Sequence, residues 1–114
     1  MTDKERELLT QLIEKTRAGA IPWEPTAKEN EFVGPYKGHA TFTVSKYEDP
    51  DHYGDSYRLV MRDPENREML VLERGAGWVE DDQRLAELYR AAHDCALNVE
   101  ETIDAILDDL RKAG

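Results

Sequence analysis

The residues of this 114-residue chain whose types suit chemistry are an oxygen-rich run, Asp49-Pro50-Asp51-His52-Tyr53-Gly54-Asp55, three histidines, a single cysteine and a Gly75-Ala76-Gly77 turn. The first offers carboxylates and a glycine at the sixth place, as a calcium loop does. Its fifth position is Tyr53, however, and its twelfth is Val60, where a bidentate glutamate is needed. The run therefore reads as a solvated acidic loop between strands. His39 falls on a strand, His52 in that loop and His93 on a helix, and with one cysteine and no histidine pair at i, i+4 no zinc spacing can be read. His93 and Cys95 sit two apart, roughly 200° apart around a helix, so they cannot serve as a local nucleophile and base. Flanked by Ala92 and Ala96, Cys95 reads as a packed thiol.

Gly75-Ala76-Gly77 precedes a helix, where backbone amides attract anions. Glu80, Asp81 and Asp82 follow it and would repel one, and the third glycine of a dinucleotide fingerprint is missing. Carboxylates are abundant, but abundance without a perturbed environment assigns no acid or base. Trp23, Trp78 and Tyr89 read as core aromatics, while Tyr47 and Tyr53 stay open between surface and interior. The sequence thus nominates no catalytic residue, no cofactor site and no metal site, and the chain is not expected to be an enzyme.

The formal charge of −10 is uneven, with 4 basic and 10 acidic residues in the segment 80–114. Such a surface repels phosphate backbones and anionic lipid, so neither nucleic acid nor membrane is an expected partner. No apolar run approaches the roughly 18 residues of a membrane span. The N-terminal Met-Thr-Asp-Lys-Glu-Arg-Glu lacks a signal peptide's cationic start and apolar centre. A single cysteine precludes an intrachain disulfide. A cytoplasmic protein is the inference, with one α+β domain spanning 1–114.

Among the elements, the dominant one is the stretch 82–110. Its apolar residues Leu85, Tyr89, Ala92, Ala96, Val99, Ile103, Ile106 and Leu110 step by four and three without a slip. That spacing keeps one narrow stripe on one side of a helix and matches the a/d seam of a coiled coil. The unbroken phase favours one continuous helix of roughly 45 Å; the alternative is a hinge near Leu97 and Asn98, since Asn98 followed by Glu101 can cap a separate helix. A compact chain of this length has a radius of gyration of only about 13 Å. The seam is longer than the domain can cover, which predicts a partner.

Earlier in the chain, Thr2-Asp3-Lys4-Glu5 has the form of a capping box. Leu8, Leu9, Leu12, Ile13 and Thr16 share a helical face, and Gly19 is a left-handed stop, predicting a helix over 3–18. Residues 21–25 read as an extended connector because of Pro22 and Pro25. Phe32-Val33 begins a strand that Gly34-Pro35 interrupts, and Tyr36-Lys37-Gly38 turns into a strand whose Ala40, Phe42 and Val44 face one way. Residues 56–62 alternate again, Asp63-Pro64-Glu65-Asn66 is turn chemistry, and 67–74 is the return strand. The expected fold is an N-terminal helix, an antiparallel sheet of three to four strands and a long C-terminal helix, stacked as a two-layer sandwich.

Leu12-Ile13-x-x-Thr16-x-x-Gly19-x-Ile21-x-Trp23, together with Leu88-Tyr89-x-x-Ala92 and Val99-x-x-x-Ile103-x-x-Ile106-Leu107, resembles a group of small bacterial proteins of uncharacterised function. These are packing motifs over most of the chain; the resemblance implies the helix-sheet-helix fold and no activity. The expected role is a non-catalytic association module, homodimeric through the C-terminal seam. The alternative is an acidic binding protein, of inhibitor or immunity type, for a basic partner.

Overall fold

The computed structural model describes residues 2–48, 55–74 and 81–113. The acidic run at 49–54, the Gly-Ala-Gly turn, and Trp78 and Val79 lie outside the described residues. The first helix, α1 (Asp3–Arg17), starts on the capping box: the Glu5 amide donates to Thr2 Oγ1 at 3.1 Å and the Thr2 amide to Glu5 Oε1 at 3.0 Å. It ends in a Schellman motif. Gly19, at φ +76°, donates to the Thr16 carbonyl and Ala20 to the Lys15 carbonyl, satisfying the two acceptors left open at the helix end.

Five strands follow as an antiparallel meander in chain order: β1 (Glu24–Pro25), β2 (Glu31–Tyr36), β3 (Ala40–Glu48), β4 (Asp55–Arg62) and β5 (Glu68–Arg74). The count is five where three to four were expected. The extra strand is the proline-flanked connector, whose Glu24 and Pro25 pair with Val33 and Phe32. Gly34-Pro35 does not interrupt β2. Pro35 lies past the two residues that β1 pairs, where a missing N–H breaks no ladder bond on that side. Gly34 is required for another reason: a Cβ there would stand 2.8 Å from Ile21 Cγ2 and from Trp23 Cε3. His39 belongs to the turn between β2 and β3, not to a strand. Its amide closes that turn on the Tyr36 carbonyl at 2.9 Å, with Lys37 and Gly38 both at positive φ.

One face of the sheet carries Phe32, Phe42, Val44, Leu59 and Leu72, all buried. The other face carries cross-strand ion pairs, Arg58 with Glu73 and Arg62 with Glu68, and there the Arg58 guanidinium lies 5.2 Å from the Tyr47 ring centroid. Against the apolar face lies α2 (Asp81–Ala96), which touches every strand, and α1 packs against α2. Leu9, Leu12, Ile13, Ile21, Trp23, Leu85, Leu88, Tyr89 and Ala92 complete one continuous core.

The C-terminal stretch is two helices, not one. Asn98 takes φ +51° between α2 and α3 (Val99–Ala113). The last turn of α2 closes with Leu97 donating to the His93 carbonyl and Asn98 to the Cys95 carbonyl, while the Asn98 carbonyl accepts the first amide of the next helix from Thr102 at 3.0 Å. Asparagine tolerates the left-handed region that most L-residues avoid. The four-and-three spacing runs on through Asn98 in the sequence, but the left-handed residue ends the first helix and lets a second begin. With α3 projecting, the radius of gyration is 15.7 Å, above the about 13 Å of a compact chain this long.

Candidate functional site

The break at Asn98 divides the apolar seam by fate. Leu85, Tyr89 and Ala92 are buried and Ala96 partly buried, packed into the chain's own core, so this half of the seam is not available to a second helix. Beyond the break Val99 is partly covered, but Ile103 is 49% exposed, Ile106 53%, Leu107 40% and Leu110 63%, and no residue of α3 is buried. These side chains lie on one stripe because 103, 106, 107 and 110 recur at helical spacing. Away from the stripe α3 is acidic at Glu101, Asp104, Asp108 and Asp109, Glu100 flanks the stripe beside Leu107, and the last turn is basic at Arg111 and Lys112. Leu97, at the hinge, adds a further exposed apolar side chain.

A second feature lies where α2 crosses β2 and β3. Tyr89 is 5% exposed, and its ring stacks at an angle against Phe32 and Tyr57, each at a centroid distance of 5.7 Å. Its hydroxyl donates to Asn30 Oδ1 at 3.4 Å. Burial, reinforced by Tyr57 and by the Asp55 carboxylate, raises the Tyr89 pKa, so the phenol keeps its proton. The Lys46 ammonium lies 5.6 Å from the Tyr89 ring centroid, and the His93 ring 6.2 Å from it and edge-on to Phe32. Asn30, at φ +55°, holds this corner through its carbonyl, which accepts the Lys46 amide at 3.0 Å. Asn30, Lys46, Tyr89, Arg90, His93 and Asp94 line a hollow of about 330 Å³.

Lys46 was legible and missed. Ala40, Phe42 and Val44 were read as the inward row of β3, and the same alternation carried on by two places turns Lys46 toward the helix layer.

The remaining candidates occupy ordinary positions. Cys95 is partly buried and its thiol reaches the Ile21 carbonyl at 3.7 Å, and Trp23 is a core residue. His93 Nδ1 lies 3.0 Å from Asp94 Oδ1. His39 is exposed and far along the chain from both. Among the described residues no three histidine, cysteine, aspartate or glutamate side chains gather as a metal site would require. A wider groove between the end of α1, α2 and the start of α3 is lined by both signs of charge, with Arg17 and Glu87 bridging it at 2.7 Å. Among the described residues no helix is long and apolar enough to cross a membrane.

No protein-family model, curated protein or solved structure matches this chain, so its function is argued from its own geometry.

Proposed function

We propose that this chain is a non-catalytic association module that pairs with a second copy of itself through α3. The supporting observation is the α3 stripe of Ile103, Ile106, Leu107 and Leu110, each between 40% and 63% exposed while Leu85, Tyr89 and Ala92 of the same seam are buried. A lone helix of 15 residues is marginal in water, and α3 gains no buried side chain from its own domain. A second α3 supplies what is missing, because one apolar stripe is complementary to another at the same spacing. With each of these side chains already about half covered, completing the burial contributes roughly 1 kcal/mol apiece.

Charge favours the antiparallel arrangement. Glu100 and Glu101 open the helix, and Arg111 and Lys112 close it. Antiparallel pairing sets the acidic end of each helix beside the basic end of its partner and opposes the two macrodipoles. Parallel pairing would stack the acids on each other.

Sedimentation equilibrium across a concentration range is the test. The expectation is a mass of about 26 kDa, twice the 13.1 kDa chain, and a shift to monomer in Ile103→Glu/Ile106→Glu. A wild-type monomer at every concentration would sink the reading. A second reading draws on the exposed acids Glu100, Glu101, Asp104, Asp108 and Asp109: a basic protein occupies the same stripe, and capture then falls as salt rises.

A further inference from the structure

We propose that the hollow bounded by Lys46, Arg90, His93 and Tyr89 binds a small molecule through an oxyanion group, a phosphate or a carboxylate, held on the Lys46 ammonium and the Arg90 guanidinium. The position of Lys46 is the first ground. Its side chain stands in the inward row of a central strand, after the buried Phe42 and Val44, with Tyr57 opposite it on β4. At the end of that row Lys46 is only partly covered, and its side chain lines the hollow. Among the described residues Lys46 has no carboxylate partner; it meets the face of Tyr89, which attracts a cation but does not neutralise it. An anion in the hollow supplies the missing partner.

The second ground is convergence. On a chain of net charge −10, the walls of this hollow bring together two cations, Lys46 and Arg90, with the His93 ring and one carboxylate, Asp94. That carboxylate is engaged by His93 at 3.0 Å. Arg90 is exposed and forms no ion pair among the described residues, so its fork of donors is available for the two-point recognition that oxyanions favour. Tyr89 supplies a rigid aromatic wall, fixed by Phe32 and Tyr57. A volume of about 330 Å³ suits a compact ligand with a small apolar body, not a polymer.

The experiment is an NMR titration of the uniformly ¹⁵N-labelled full chain with phenyl phosphate, benzoate and, as the uncharged control, benzyl alcohol, at fixed ionic strength. The expectation is a saturable response centred on Asn30, Lys46, Arg90 and His93 for at least one of the two anions and none for the alcohol. The anion that binds identifies the headgroup. Lys46→Met and Arg90→Gln should each weaken binding by about tenfold or more, the loss of one charge-assisted contact. If Lys46→Met does not fold, Arg90→Gln on the exposed side of α2 carries the comparison. A response that fails to saturate, that centres elsewhere, that the alcohol reproduces, or that survives the substitutions unchanged overturns the proposal.

Discussion

The indole nitrogen of Trp23 donates to the hydroxyl of Thr16 at 2.9 Å, and that hydroxyl donates in turn to the Leu12 carbonyl at 2.6 Å, in a buried chain that ties the first connector to α1. Removing the middle group orphans the indole N–H inside the core. Thr16→Val should therefore destabilise the fold by about 1–3 kcal/mol, the penalty of a buried polar group left unpaired. Thr16→Ser should restore most of it. Urea unfolding of the three proteins makes the comparison; equal stability of the valine variant would show that the relay contributes nothing.

Gly34 answers to a different constraint. A methyl group there would press to 2.8 Å on the Ile21 side chain and on the six-membered ring of Trp23, both of which are buried and have nowhere to retreat. Gly34→Ala is expected to cost about 1–3 kcal/mol through overpacking, although alanine is ordinarily the better strand residue. The lowered urea midpoint should come with shifted Trp23 fluorescence. A midpoint at or above wild type would mean that the strand and connector can separate freely.

The first helix, the turns and the rows of the central strands were readable because their signals are local. Thr2 and Glu5 cap each other across three residues, and Gly19 and Asn66 both take the positive φ that their positions in the sequence require. The inward and outward rows of β3 and β4 follow from strict alternation. Two features were not readable, and each depends on something distant in the chain. Strand β1 is held by pairing with Phe32 and Val33, which its two residues do not announce. The tolerance of β2 for Pro35 comes from the shortness of β1, and its need for Gly34 from the Ile21 and Trp23 side chains packed on it. The break at Asn98 is the hinge that Asn98 and Glu101 offered as the alternative; periodicity favours one helix only because a single left-handed residue leaves the apolar spacing of the sequence intact. At the candidate sites, the α3 stripe was legible as half of a longer seam. The fate of the other half was not, because burial of Leu85 and Tyr89 is decided by the sheet.

The break itself can be tested. At φ +51°, Asn98 sits where alanine is penalised by roughly 1–2 kcal/mol, and alanine also has the higher intrinsic helix propensity. Asn98→Ala should thus shift α2 and α3 toward one continuous helix. The Cα chemical shifts of 97–99 would move to helical values, while Asn98→Gly keeps the break. Unchanged shifts in the alanine variant would show that contacts elsewhere set the bend.

Asp63 gives the β4–β5 turn a defined pH dependence. The Arg67 amide donates to its carboxylate and lowers its pKa below the ordinary 3.8, opposed by desolvation and aided by the Arg67 side chain and the Glu65 amide. The bonds are short, 2.9 Å to each amide and 2.8 Å to Arg67 Nε. Because the folded value is the lower one, the carboxylate's contribution is complete above the unfolded value and is lost as pH falls through the folded value. Amide protection at Glu65 and Arg67 should decline in that acid window and stay flat with pH in Asp63→Asn. Protection that persists below it would show that the turn does not rely on the ionised group.

Association and folding separate cleanly in this architecture, and that separation is itself a prediction. Leu88 is fully buried between α2 and the rest of the core, so Leu88→Ala should cost about 2–5 kcal/mol whatever the oligomeric state. Ile103 and Ile106 touch no core, and charging both should change the stability of an isolated chain by no more than about 0.5 kcal/mol. A dimer joined through α3 adds a term that depends on mass action, so the wild-type thermal midpoint should climb with protein concentration. In Ile103→Glu/Ile106→Glu it should not. A wild-type midpoint that ignores concentration would leave the α3 stripe without a second copy to cover it, and would turn the search toward the basic partner.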